Sequence, residues 1–182
     1  METQLKEKKP SIFKNALMYG LLLGIAMIVL NLIFYVANIS KENPIQYLSF
    51  LLMIAGIVMG ILNFRSQYNH GFISYGKSLG TGVLIGLSSS LIMALYLIIF
   101  YSYIAPEIIT ETLRTAEEKM LEKNPNMTQE QIDMGLKFSA YFVSPIGLSV
   151  SSIFGGTLMS TIFSLIISIF TTKKDNSFES NF

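Results

Sequence analysis

The chain has 182 residues, of which 51% are hydrophobic and 14% are charged, and its mean hydropathy is +0.51. A soluble domain has about one charged residue in four, so this composition excludes an ordinary water-soluble globule and indicates a membrane protein. The formal net charge of +1 favours neither nucleic acid nor an acidic ligand as a partner. Cysteine is absent, which excludes disulfides, thiolate metal sites and cysteine nucleophiles.

Four long segments contain no Asp, Glu, Lys or Arg: residues 15–40, 43–64, 78–106 and 138–172. Each exceeds the roughly 18 weakly polar residues that mark a candidate transmembrane helix. A helix of about 20 residues is about 30 Å long, which matches the thickness of the hydrocarbon core. The sequence therefore predicts four membrane spans, at about residues 16–37, 47–62, 79–103 and 143–170.

Four lysines precede the first predicted span: Lys6, Lys8, Lys9 and Lys14. Positive residues also precede the apolar region of a signal peptide. Its apolar run exceeds the about 7–15 residues of a signal peptide, and no clear cleavage site follows it. We therefore expect an uncleaved membrane anchor.

The distribution of charge predicts the orientation of the chain. In a four-span protein the N-terminal arm, the second loop and the C-terminal tail share one side, which has eight positive and four acidic residues. The opposite side has five positive and eight acidic residues. Because positively charged residues accumulate in cytoplasmic segments, we expect both termini in the cytoplasm and the protein in the cell inner membrane.

Residues 106–142, between the third and fourth predicted spans, are predicted to form an extramembrane helical hairpin. Its first helix is charged apart from a narrow apolar stripe at helical spacing, formed by Ile109, Leu113, Ala116 and Met120. The second helix begins with a capping box, in which Thr128 caps the backbone amide of Gln131 and the Gln131 side chain returns the bond. This helix leads into the fourth span, with a kink or break near Pro145. The hairpin either docks a partner or lies on the lipid headgroups.

Small residues recur at four-residue spacing in every predicted span. They are Gly20, Gly24, Gly56, Gly60, Gly82, Gly86, Ser152, Gly156, Ser160, Ser164 and Ser168. In lipid, small residues that let helix backbones approach closely are a principal means of helix packing. These positions therefore predict either packing of the four helices within one chain or a seam between copies in a homo-oligomer.

No ionisable residue lies inside a predicted span, which disfavours proton-coupled transport and voltage sensing. The polar residues there carry amide and hydroxyl groups, chiefly Asn31 in the first span and Ser88, Ser89 and Ser90 in the third. Such groups line a path for a neutral solute, or they form hydrogen bonds to helix carbonyls and neighbouring helices. The sequence is compatible with both a solute path and helix packing.

No catalytic or metal-binding signature is present. The chain lacks HExxH, G-x-S-x-G and phosphate-loop motifs, and its one histidine, His70, lies in a short polar loop without nearby ligands. Glu117 and Glu118 are adjacent on a helix and point about 100° apart, as on a solvated face. We therefore predict no enzyme activity, no cofactor and no metal site.

The sequence resembles an uncharacterised bacterial membrane family, domain of unknown function 4199, over about residues 13–170. The similarity rests on four segments: Lys14–Gly20, Ile73–Lys77, Tyr101–Glu107 and Met127–Ile132. The resemblance implies four helices and an integral membrane location. It implies no activity and no site residues.

The predicted fold is all-α, a four-helix transmembrane bundle with an extramembrane hairpin, and residues 1–182 are expected to form a single integral membrane domain. The predicted partners are the lipid bilayer and either a second copy of the chain or a partner membrane protein; nucleic acid is excluded. The leading functional hypothesis is a non-enzymatic packing, interaction or accessory membrane protein. The alternative is a small pore or carrier for a neutral solute.

Overall fold

The computed structural model describes residues 11–40, 43–68 and 71–173. This part of the chain forms six α-helices: α1 (Ile12–Val36), α2 (Leu48–Asn63), α3 (Tyr75–Ile99), α4 (Glu107–Lys123), α5 (Gln129–Val143) and α6 (Pro145–Thr171). Four helical segments are long and apolar enough to cross a membrane: Ile12–Val36, Pro44–Gln67, Tyr75–Ile104 and Pro145–Thr171. The predicted all-α fold with four spans is confirmed, and α4 and α5 lie between the third and fourth spans as expected.

The helix bounds differ from the predicted spans by up to four residues, and capping groups determine where α1 and the turn before α2 begin. The Ser11 side chain accepts a 3.4 Å hydrogen bond from the Lys14 amide, so α1 begins at Ile12 instead of near residue 16. The Asn43 side chain accepts from the Ile45 amide at 3.0 Å and begins a 3₁₀ turn that leads into α2. Turns of π-helix, Phe64–Tyr68 and Phe100–Ile104, continue α2 and α3.

The predicted break near Pro145 is a sharp change of direction at Ser144. Ser144 has extended backbone angles, with φ −60° and ψ 156°, and ends α5. Its hydroxyl then accepts a 3.0 Å hydrogen bond from the Gly147 amide and so caps α6. Proline suits the first turn of a helix, because its missing N–H has no partner to lose there, and α6 therefore begins at Pro145.

The chain forms two compact units. The first contains α1, α2, α3 as far as Ser89 and α6 from Gly156 onward. Its core consists of buried apolar side chains at helical spacing: Ala16, Leu23, Ile57, Ile61, Phe64, Ile73, Ile85 and Ile167. These side chains come from all four helices and from the loop before α3, so each helix of this unit contributes to one core.

The second unit, Ser90–Gly155, contains the end of α3, the helices α4 and α5, and the start of α6. Ile132 of α5 is buried at 4% exposure. A Cβ at Gly135 of α5 would lie 3.1 Å from the sulfur of Met120 in α4, so the two helices pack closely there. The predicted stripe on α4 is half-buried at all four positions, Ile109, Leu113, Ala116 and Met120.

Large apolar side chains are exposed along all four spans, including Leu22, Leu51, Leu95, Phe154 and Phe170, whose exposed fractions run from 56% to 80%. An apolar surface of this extent is rare on a soluble monomer and matches the hydrocarbon core of a bilayer. The chain is a multi-pass membrane protein whose span surfaces contact lipid.

The capping box of α5 generates a testable prediction. Thr128 Oγ1 accepts from the Gln131 amide at 3.4 Å, and Gln131 Oε1 accepts from the Thr128 amide at 3.0 Å. We expect T128A to destabilise the first turn of α5 by about 0.5–2 kcal/mol, because an N-terminal amide loses its acceptor. Amide hydrogen exchange at Glu130 and Gln131 measures this change.

The matched control is T115A in the middle of α4, where the threonine hydroxyl donates only to the Glu111 carbonyl of its own helix. Alanine is the better helix former, so T115A should be neutral or stabilising by up to about 0.7 kcal/mol. Equal effects of T128A and T115A on exchange in α5 would contradict the capping role.

Candidate functional site

The smallest clearances around the predicted glycines of the first unit lie between α3 and α6. A Cβ added at Gly86 would overlap the Cβ and Oγ atoms of Ser160, and one added at Gly82 would overlap those of Ser164. Only glycine leaves room for a serine against the opposing backbone at these two positions. The arrangement also brings the serine oxygens against glycine Cα–H groups, which form weak hydrogen bonds at helix interfaces. We call these four residues the glycine–serine contact.

The remaining predicted glycines join α1 and α2 to this arrangement. A Cβ at Gly20 of α1 would overlap Ser88 of α3 and lie 2.9 Å from the Ile85 carbonyl oxygen. A Cβ at Gly56 of α2 would lie 2.9 Å from the Leu23 side chain of α1. Two further positions belong to the same helices: Gly60, whose added Cβ would overlap Ile85, and Gly24, which is buried. The contacts found at Gly20, Gly56, Gly60, Gly82 and Gly86 thus lie between helices of one chain.

The predicted serine ladder of α6 is divided between the two units. Ser160, Ser164 and Ser168 in the first unit are fully buried. Ser152 in the second unit is half-buried and its hydroxyl donates to the Ser149 carbonyl at 2.7 Å, while Gly156 is half-buried at the start of the first unit's segment. Three members of the ladder are therefore fully buried and two are half-buried.

Two hydroxyls of this ladder, on Ser164 and Ser168, are buried and have no hydrogen-bond partner among the described residues. A helical serine can reach the carbonyl three or four residues earlier by rotating about χ1. Neighbouring hydroxyls show that bond: Ser160 Oγ donates to the Thr157 carbonyl at 2.9 Å, and Thr161 Oγ1 donates to the same carbonyl at 2.7 Å. The free hydroxyls therefore need no ligand to be satisfied.

The four residues predicted as a polar path do not share one environment. Ser88 is half-buried, and its hydroxyl donates to the Leu84 carbonyl of its own helix at 2.8 Å. Ser89 and Ser90 are buried at 5% and 6% exposure, and Asn31 in α1 is half-buried. The hydroxyl of Ser88 is thus used within α3 and lies at the Gly20 contact.

A cluster of polar residues at one end of the first unit was missed by the sequence reasoning. Asn15 is 1% exposed; its side chain donates to the Gly60 carbonyl at 2.9 Å and accepts from Asn63 at 2.8 Å. The hydroxyls of Ser78 and Thr171 lie 2.7 Å apart. The two bonds of Asn15 join the start of α1 to the end of α2, and the Ser78–Thr171 bond joins the start of α3 to the end of α6. We call this group the polar end.

The same end holds the Lys and Arg residues of the first unit that the structure describes. Arg65 donates to the Thr171 carbonyl at 3.1 Å, and Lys173 forms an antiparallel bridge with Ile73 and lies 5.8 Å from the Phe72 ring. Lys14 and Lys77 stand beside Asn15 and Ser78 in the chain and are exposed. The described residues of this unit include no carboxylate, so its formal charge at this end is positive.

The sequence did not predict the polar end, because its residues lie just outside the predicted spans. Asn15, Asn63, Ser78 and Thr171 each lie one residue outside a predicted span, where polar side chains are expected to face water. The available signal was that one polar residue directly borders each of the four apolar runs. Antiparallel packing then brings the four helix ends together.

Among the residues that the structure describes, no group of three or more His, Asp or Glu side chains could bind a metal ion. His70, considered as a ligand from the sequence, lies outside the described residues.

The glycine–serine contact predicts that position 86 accepts no side chain larger than that of glycine. We expect G86A to cost about 1–3 kcal/mol of unfolding free energy, because the added methyl group overlaps Ser160. In the double variant G86A/S160G the overlap is removed, so its loss should be smaller than the sum of the two single losses. Unfolding in mixed micelles measures all three.

The control is G80A in the same helix, since a Cβ at Gly80 meets no atom within 4 Å. It should be neutral or stabilising by up to about 1 kcal/mol. Strictly additive effects of G86A and S160G would show that the two residues are not in contact.

The polar end predicts coupling between Asn15 and Asn63. We expect N15A to destabilise by about 1–3 kcal/mol, because the Asn63 amide loses its acceptor away from solvent. The double variant N15A/N63A should lose less than the sum of the single losses. S66A, at an exposed serine of the same end, is the control and should change stability by less than about 0.5 kcal/mol. Additivity of N15A and N63A would contradict the shared bond.

Comparison with known proteins identifies a family. A family model described as a protein of unknown function (DUF4199) matches residues 18–173, which include most of the chain. No match was found among curated proteins or among solved structures. The matched range begins within α1 and ends just after α6, so it covers the second and third spans, the hairpin and nearly all of the other two spans. The chain therefore belongs to the DUF4199 family of unknown function.

Proposed function

We propose that this chain is a non-enzymatic membrane protein that acts by association, as an interaction or accessory subunit of the inner membrane. The observation that carries the proposal is the contact of polar and small faces within the first unit. Gly20 lies against Ser88, and Gly86 against Ser160, with no space for a Cβ atom at either glycine. A solute path would instead need these faces to border a hydrated cavity.

The hydroxyls of these faces support the same proposal. Those of Ser88, Ser160 and Thr161 donate to carbonyls of their own helices, which leaves fewer polar groups for a passing solute. The predicted small-residue positions of α1, α2 and α3 lie at intrachain contacts, which favours packing within one chain over a glycine seam between copies. Association would then use the exposed apolar faces of the spans.

A pore or carrier for a neutral solute is the second candidate. One observation favours a pore: the buried hydroxyls of Ser164 and Ser168 have no hydrogen-bond partner in the described part of the chain. Water molecules in a pore would supply these partners. The position of Ser164 against Gly82 weighs against that reading, since an occupied path needs space.

We further propose that the polar end faces the cytoplasm. Lys14, Arg65, Lys77 and Lys173 are gathered there, and cytoplasmic segments of membrane proteins are enriched in Lys and Arg. The first and last described segments also lie at this end, at the start of α1 and the end of α6. The hairpin follows an odd number of spans and would lie on the opposite side of the membrane.

Cysteine accessibility tests both proposals, because the native chain has no cysteine and each introduced one reports by itself. Single variants are S11C, N43C and E118C for orientation, and S89C and S160C for the interior. Intact cells are treated with an impermeant maleimide. We expect labelling of N43C and E118C but not of S11C, and no labelling of S89C or S160C.

For the interior pair, membranes opened to the reagent on both sides give the decisive comparison, and labelling after denaturation proves that each thiol is intact. Reaction of S89C and S160C in opened, native membranes would establish a hydrated cavity and replace the association proposal with the solute path. Labelling of S11C and protection of E118C in intact cells would reverse the orientation.

A further inference from the structure

The outer surface of α5 is apolar although the helix lies outside the four spans. Met134, Phe138, Tyr141 and Phe142 are exposed by 66%, 67%, 79% and 57%. Their spacing of four, three and one residues places them on one side of a helix. The rings of Phe138 and Phe142 lie 5.2 Å apart, so the stripe is continuous at its C-terminal end. We call these four residues the α5 outer face.

The α5 outer face does not hold the hairpin together. Contact with α4 uses other positions of α5: Ile132 is buried, and Gly135 lies against Met120. The four side chains of the outer face are left exposed by that packing. A surface with this many large apolar groups is costly in water.

The outer surface of α4 has the opposite character. Arg114 and Glu118 form a 3.6 Å ion pair whose side chains are 69% and 65% exposed. Glu111, Lys119 and Glu122 are exposed on the same helix. The two helices of the hairpin therefore present different surfaces, one charged and one apolar.

The connection to α6 places α5 at the membrane surface. Ser144 alone separates the end of α5 from Pro145, the first residue of the fourth span. Consecutive Cα atoms are 3.8 Å apart, so the Cα of Phe142 lies within about 11 Å of the start of that span. We therefore expect the aromatic residues at the end of α5 at the level of the lipid headgroups, where Tyr side chains are enriched.

We propose that α5 lies in the bilayer interface, with its outer face inserted at the boundary between headgroups and acyl chains and with α4 on its aqueous side. The occupant of the apolar surface is lipid, because the surface is continuous with a membrane span through a single residue. Lys137 is exposed and points about 100° away from Phe138, which lets its ammonium group stay with the phosphates. The hairpin is then an interfacial element anchored by α5.

Spin labels at single cysteines test this placement in the full chain. The label is attached in M134C and F138C on the outer face, and in K137C and E118C as controls. The protein is reconstituted in vesicles of phosphatidylethanolamine and phosphatidylglycerol. Collision with oxygen, which is enriched in lipid, is compared with collision with a water-soluble nickel chelate.

We expect M134C and F138C to favour oxygen and to report a depth of about 5–10 Å below the phosphates, as for an interfacial helix. K137C and E118C should favour the nickel chelate severalfold relative to F138C. E118C is the sharper control, because Lys137 lies three residues from Met134 and four from Tyr141 and therefore borders the outer face. All four side chains are exposed, so substitution disturbs no core contact.

Two outcomes would overturn the proposal. Equal access of the nickel chelate to F138C and E118C would show that α5 faces water. Low access of both reagents to F138C, with spectral broadening that disappears on dilution with unlabelled protein, would show that a second copy covers the face. A water-exposed α5 would leave the association proposal to be judged by the thiol experiment, whereas a second copy on this face would support association and contradict only the lipid placement.

Discussion

The approach of α3 to α6 in the first unit is the contact on which the rest of that unit depends. Water exclusion contributes little between helices that already lie in lipid, so stability there comes from close packing of atoms. Glycine at positions 82 and 86 admits the serines of α6 against the α3 backbone. The same stretch of α3 then receives α1 at Ser88 and α2 at Ile85. One stretch of α3 therefore contacts the other three helices from different sides, and the buried serines follow from the lack of space for larger side chains.

Hydrogen bonds at the polar end complement this packing. Asn15 joins α1 to α2, and Thr171 joins α6 both to α3 through Ser78 and to the end of α2 through Arg65. Side-chain bonds of this kind add directionality that apolar packing lacks, because donors and acceptors must face each other. The polar end thus sets the relative axial positions of the helices, while the glycine–serine contact sets their separation.

The hairpin of the second unit follows different physical rules from the spans. Its α4 is charged, its α5 carries an exposed apolar side, and a capping box at Thr128 begins the second helix. The charged surface of α4 is suited to contact with water, and the apolar side of α5 is suited to contact with lipid. Membership of a family of unknown function adds no activity to this picture, so the functional argument rests on packing, charge distribution and surface character.

Much of the architecture was predictable from the sequence, because bilayer thickness requires long uncharged segments and these can be counted. The capping box and the break near Pro145 were also predictable, since both depend on residues within four positions of each other. Spacing showed that Gly82 and Gly86 share a face, but the partner of that face lies about 80 residues away in the chain, and only the tertiary structure decided it. In the sequence, Asn15 and the other residues of the polar end are ordinary polar residues that flank the spans. Antiparallel packing of the helices brings them together. The aromatic residues of α5 likewise resembled a lead-in to the fourth span. Their role as an exposed side was decided by the turn at Ser144 and by packing on α4, because the pattern of a single helix does not specify which of its sides a neighbour will cover.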